Sequence, residues 1–170
     1  MGAKNISLDF TGQVVIVTGA GKGIGRRTAL AFAAAGASVA LAGRHADTLE
    51  ATAADAAKLG RPALVVPTDV QSVAEIEALV ERTVTTLGPL DVLVNNAGVN
   101  RTGPSLDVDE KTWDWIIDTN NLAKAPSGAI GTEDDIAATA LYLASDAASH
   151  VNGAMIYVDG ASAAGWMGPE

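Results

Sequence analysis

The sequence predicts a doubly wound α/β domain built on a parallel sheet. Three observations predict it. Short apolar runs alternate with longer helical patterns, and only tight turns rich in glycine or proline separate them. The first apolar run, Val14 to Val17, breaks into Thr18-Gly19-Ala20-Gly21-Lys22-Gly23-Ile24-Gly25 ahead of an Ala-rich helical pattern. A later run, Val92 to Val94, breaks into Asn95-Asn96-Ala97-Gly98.

Each element follows from its residues. Residues 1–12 are a polar lead-in, and Gly12 reads as a turn before the first strand. Val14 to Val17 is apolar throughout, the pattern of a strand buried on both faces. The first helix is predicted from about Arg26 to Ala35, with Gly36 just past its end. SVALA, Ser38 to Ala42, is the second strand, and Asp47 is the predicted cap of a helix running to about Leu59. Ala63 to Pro67 is the third strand and leads into Thr68-Asp69-Val70. Ser72 caps a helix from Val73 to about Leu87, with Ile76, Leu79 and Val80 on one face. Asp91 to Val94 is the fourth strand, and a helix opening at Asp109 or Glu110 carries Trp113, Ile116 and Ile117. After a loop over Asn121 to Gly131, Thr132 caps a helix from Glu133 to about Ser145, with acidic residues in its first turn as the helix dipole favours. Ala154 to Val158 reads as a last strand.

Composition narrows the function. The 170 residues make one domain, long enough to bury a core. A net charge of −9 argues against nucleic acid or an anionic membrane as partner. Cysteine is absent, which removes disulfides and thiolate chemistry and fits a reducing compartment. No stretch is apolar for long enough to span a membrane, and MGAKNISLDF lacks the apolar core of a signal peptide. A cytoplasmic protein is the expectation. His45 and His150 are isolated in sequence and read as surface or loop histidines, and no metal-ligand cluster or nucleophile elbow is visible.

The glycine-rich turn has the parts of a phosphate cradle. N–H groups at a helix N-terminus lack intrahelical partners, and the dipole favours an anion there. Glycine lets the backbone approach a pyrophosphate. A valine at Gly23 is expected to fill that space and to leave the fold intact only if the backbone angles suit a β-branched residue. At the end of the second strand, a carboxylate would bind both ribose hydroxyls and select NAD. Gly43 stands there instead, followed by Arg44, a cation that suits a 2′-phosphate. Lys22 lies within reach of the same phosphate by its place in the turn. The competing reading of Arg44 is a solvated loop charge.

With TGAGKGIG and NNAG in place, Leu8 through Asn120 resembles the short-chain dehydrogenase/reductase family. Gly128 to Gly160 resembles that family's C-terminal part. The resemblance implies one Rossmann-type dinucleotide-binding domain over 1–170, with 1–120 its nucleotide-binding part and 128–160 its C-terminal helix and strand. It implies a strand order 3-2-1-4, with the ligand crevice between strands 1 and 4 at their carboxyl ends. The implied cofactor is NADP rather than NAD, bound by Thr18, Gly19, Gly21, Lys22, Gly23, Ile24, Gly25, Arg44, Asp69, Val70, Asn96, Ala97 and Gly98. In the family, the Asp69 and Val70 positions hold the adenine amine and flank its ring. Asp69 reads equally well as a strand-exit turn residue. Asn96 matches a position beside the cofactor ribose and also suits the turn. The implied substrate is a small carbonyl or alcohol, and the family's use of its last helix and strand at subunit contacts implies a homo-oligomer.

The family's chemistry is hydride transfer at the nicotinamide C4. A tyrosine handles the proton, a lysine four residues on lowers its pKa, and a serine holds the substrate oxygen. An asparagine supports a water relay, and Asn120 matches it. The remaining three have no counterpart. Tyr142 is followed four residues on by Asp146, and Tyr157 by Ala161, so no Tyr-x-x-x-Lys exists. The strands and helices that the family carries between the positions of Asn120 and about Ala125 are absent, on the order of two βα units. Three readings stand: a polypeptide with a segment that these residues omit, an internal deletion, or a binding module without turnover. In a continuous chain, Ala154 to Val158 is expected to pair parallel to the fourth strand, with the helix from Glu133 as the crossover. With an omitted segment, it is expected across a gap about two strands wide, and the step from Asn121 to Lys124 should be too long for connected residues.

Overall fold

The residues VVIVT form β1, Val14–Thr18, and every one is buried. Such a strand needs parallel neighbours on both edges and a cover on both faces. β2, Ser38–Gly43, lies along one edge with Ala40 opposite Ile16. Along the other edge lies the fourth strand, β4, Val92–Val94, with Leu93 opposite Ile16. β3, Leu64–Pro67, adds to the outer edge of β2, so the sheet runs β3-β2-β1-β4, all parallel. This is the order the resemblance implies. The computed structural model describes residues 8–98 and 131–160.

Four helices are described: α1, Gly23–Ala34; α2, Ala46–Lys58; α3, Val73–Leu87; and α4, Glu133–Ala144. Strand alternation sorts the core into two layers. Val15, Val17, Val39 and Leu41 face one way, where Leu30 and Phe32 of α1, Leu49 of α2 and Leu141 of α4 meet them. Phe10 closes this layer edge-to-face on Phe32, with ring centroids 5.0 Å apart. Ile16, Ala40, Ala42 and Val66 face the other way, against Leu79 of α3.

The helix starts refine the sequence reading. α1 begins at Gly23 rather than Arg26, because the glycine-rich turn feeds directly into its first turn. His45, not Asp47, holds the cap position of α2, and Asp47 sits in the first turn where the dipole favours it. Ser72 caps α3 as expected, its hydroxyl accepting from the Glu75 N–H at 3.4 Å. Arg26 of α1 pairs with Asp55 of α2, and Lys58 reaches the same carboxylate at 2.6 Å. Lys58 first, then Arg26, holds the Asp55 carboxyl below its ordinary value.

α4 docks on α1 through buried Ala137 and Leu141 and an ion pair between Arg27 and Asp134. The contact with Asp134 raises the Arg27 guanidinium above its ordinary value. A short 3-10 turn, Asp146–Ala148, follows. The expected last strand does not form. Residues 154–158 pair with none of the described strands, and Met155 and Tyr157 are 78% and 66% exposed. Among the described residues the sheet therefore does not extend to the order 3-2-1-4-5, and α4 is not a crossover into a fifth strand. A strand persists only where a neighbour takes its N–H and C=O groups. The helix expected near Asp109, Asn120, and the step from Asn121 to Lys124 lie outside the described residues. Among the described residues, no helix is long and apolar enough to cross a membrane.

Candidate functional site

The strands' carboxyl ends lie side by side, and a cleft of about 390 Å³ opens over them. Gly19, Gly21 and Lys22 form one wall, from the turn after β1. Gly43 and Arg44 come from the exit of β2, Asp69 and Val70 from the exit of β3, and Ala97 and Gly98 from the exit of β4. Four separate stretches of sequence thus meet where the doubly wound topology puts a ligand.

The floor is clamped by Thr18 and Asn96. The Thr18 hydroxyl donates to the Val94 carbonyl at 3.3 Å and accepts from the N–H groups of Asn96 and Ala97 at 3.0 and 2.9 Å. The Asn96 side-chain amide donates back to the Thr18 carbonyl at 2.9 Å. These bonds tie the turn after β1 to the turn after β4. Neither Thr18 nor Asn96 is among the residues that line the cleft.

The glycines are needed for close approach. A Cβ on Gly25 would overlap the Gly19 carbonyl oxygen and the Asn96 amide, and a Cβ on Gly21 would overlap the Thr48 hydroxyl. Gly23 differs. Its φ of +56° lies in the left-handed region, and a Cβ there would meet only the Glu133 carboxylate, at 3.7 Å. A valine at 23 would therefore strain the backbone. The fold-neutral valine considered from sequence does not hold. Lys22 occupies the cap position of α1 with no side-chain cap bond. The first turn of α1, with exposed Gly23 and Ile24, is the uncapped kind of helix start that accepts an anion. The donor set and the glycine cradle fit a pyrophosphate.

Two further predicted residues show both of their readings. Asp69 Oδ1 accepts from the Gln71 N–H at 3.0 Å, an Asx turn, while the residue also lines the cleft. Val70 is 42% exposed at the cleft wall, an apolar surface open to a flat ring. Sequence reasoning missed Thr48, Leu49 and Thr52 of α2. Leu49 and Thr48 line the cleft, and buried Thr52 donates to the Ala20 carbonyl at 3.1 Å. The signal was the spacing of Leu49, Thr52 and Ala56, which places all three on the buried face of α2.

The family model described as short chain dehydrogenase matches residues 13–125, well over half of the chain. The chain belongs to the short-chain dehydrogenase family. A second model, described as enoyl-(acyl carrier protein) reductase, matches residues 119–161. The two matches meet at the point where the sequence passes from Asn120 into the C-terminal elements. An uncharacterized oxidoreductase of Staphylococcus haemolyticus is 40% identical over 112 residues, covering 66% of this chain and 48% of that protein. A hexahydroindene-carboxyl-CoA reductase of Mycobacterium tuberculosis is 44% identical, covering 64% of this chain and 42% of that protein. The chain thus spans less than half the length of these two relatives. The crystal structure of an Escherichia coli hydroxysteroid dehydrogenase superposes with a TM-score of 0.79 at 25% identity, covering 91% of this chain and 98% of that one. Short-chain dehydrogenases are oxidoreductases that bind a nicotinamide dinucleotide.

Proposed function

We propose that this chain binds NADP(H) in the cleft over β1, β2 and β4, as the dinucleotide-binding part of a short-chain dehydrogenase acting on a small carbonyl or alcohol. The observation that carries the reading is the exit of β2. Gly43 offers no carboxylate to a ribose, and Arg44 lines the same cleft as Gly19, Gly21 and Lys22. Lys22 and Arg44 supply positive charge for a 2′-phosphate. Asp69 and Val70 would take the adenine, and the N-terminal turn of α1, Gly23 to Gly25, the pyrophosphate. Ala97 and Gly98 would face the ribose, with Asn96 holding them in place. When bound, the nicotinamide supplies a hydride at C4. Asn120, by its family position, would support the proton relay. A cytoplasmic homo-oligomer belongs to the same reading.

A specific observation favours a second reading, a binding module without turnover. Neither tyrosine is followed by a lysine four residues on. The two readings share the cofactor site and part at catalysis. NADPH oxidation across a panel of carbonyls supports the first, while stoichiometric NADPH binding with no oxidation supports the second.

The cofactor preference has its own test. Arg44→Ala should weaken NADPH binding and leave NADH nearly unchanged. A lost charge-assisted pair is worth about 1.5–3 kcal/mol, roughly tenfold to a hundredfold in affinity. Calorimetric titration of both cofactors reads the difference, and an equal loss for both would assign Arg44 to the solvated surface.

A further inference from the structure

We propose that Thr52 is a positioning residue that sets the geometry of the glycine-rich turn from helix α2. The proposal rests on the reading of the cleft as a dinucleotide site. Ala20 sits between Gly19 and Gly21 and is fully buried. Its N–H donates to the Ala42 carbonyl of β2 at 3.1 Å. Its carbonyl accepts from the Thr52 hydroxyl at 3.1 Å. Both polar ends of the residue at the centre of the turn are therefore anchored on the β2–α2 unit.

The Thr52 hydroxyl is unlike the other helical threonine hydroxyls described. Thr83, Thr85 and Thr139 each donate to the carbonyl four residues back and to no other group in the described bonds. Thr52 also reaches its own such carbonyl, Thr48, at 3.1 Å, but shares its one proton with a different element. One turn earlier, Thr48 donates to the His45 carbonyl at 2.9 Å and stands where a Cβ of Gly21 would be. The stretch from Arg44 to Thr52 thus carries the cation proposed for the 2′-phosphate and supports the turn proposed for the pyrophosphate. Without the hydroxyl, the buried Ala20 carbonyl has lost a partner, and an unpaired buried acceptor is costly. The sheet is fixed, whereas Lys22 and Gly23 are exposed. The turn is the part that would yield.

Thr52→Val keeps the shape and removes the hydroxyl, and Thr52→Ser restores it. The measurements are affinity for NADPH, affinity for adenosine 2′-phosphate, which lacks the pyrophosphate, and amide hydrogen exchange in the free protein. In Thr52→Val, NADPH binding should weaken roughly tenfold, while adenosine 2′-phosphate binding should stay unchanged. Exchange should accelerate at Ala20 and its turn neighbours but not at Ile16 or Leu41. Thr52→Ser should restore all of these. The proposal is overturned if exchange in the turn is unchanged, if it rises only together with Ile16 and Leu41, or if serine gives no rescue. If the unsubstituted protein binds neither ligand, the dinucleotide reading falls, and the exchange and serine results alone still decide whether Thr52 positions the turn.

Discussion

Two five-residue apolar stretches of this chain meet opposite fates. VVIVT, residues 14–18, becomes the central strand β1, with side chains 0–5% exposed. AMIYV, residues 154–158, forms no strand, and Ile156 is 41% exposed. Hydrophobicity and β-propensity do not separate the two. What separates them is neighbours. β1 has β2 and β4 on its edges and helices over both faces. Residues 154–158 meet none of the strands described. β-propensity measures fit to a half-buried pleated surface, and without that surface it has nothing to act on.

The largest expected effect breaks the comparison directly, using one residue type in both stretches. Ile16→Ala should cost about 2–5 kcal/mol, the range for emptying a fully packed site. Ile156→Ala should stay within about 0.5 kcal/mol, as surface substitutions do. Urea unfolding of the two variants beside the parent protein measures both. Similar losses would mean that residues 154–158 are packed in solution.

The second test asks whether the site belongs to the well-packed side. Gly25→Ala places a methyl against the Gly19 carbonyl and the Asn96 amide. Backbone cannot move aside as a side-chain tip can, so a loss of about 1–3 kcal/mol is expected. NADPH binding should fall with it, because the Asn96 amide is one of the groups that clamp the walls of the cleft. Binding retained at full strength in a destabilised variant would separate the clamp from the site.

The contrast also explains what was legible in the sequence. The glycine-rich turn, NNAG and the alternation from β1 through α3 to β4 could be read because each is a local pattern with one geometric solution. Ser72 and Thr132 marked helix starts for the same reason. Arg44 stood out because a carboxylate was missing beside it. Thr52 did not stand out, since its partner, the Ala20 carbonyl, lies on another element more than twenty residues away. The last strand was misread because five apolar residues state a preference but name no partner. α4 found its place where that strand did not. A helix satisfies its own backbone and needs only an apolar stripe, here Leu141 with Ala140 and Ala144, in the core layer that α1 also lines. A strand needs an edge.

The smallest expected effect sharpens this last point at the start of α4. The Thr132 N–H and hydroxyl both donate to Asp135 Oδ2, at 2.7 and 2.9 Å. Those two bonds, the backbone one first, hold the Asp135 carboxyl below its ordinary value. Thr132→Ala should cost about 0.5–1 kcal/mol at neutral pH, in the usual range for a lost N-cap side chain. The pH dependence carries a definite sign. A carboxyl depressed on folding adds stability above its unfolded value near 4, and loses it as pH falls through the lower folded value. The alanine variant should therefore differ most from the parent at about pH 5–7, and the difference should shrink as the pH falls through the lowered folded value of Asp135. Thermal melts across that range read the convergence. A difference that persists undiminished in acid would mean that Thr132 supports α4 through contacts other than the Asp135 carboxylate.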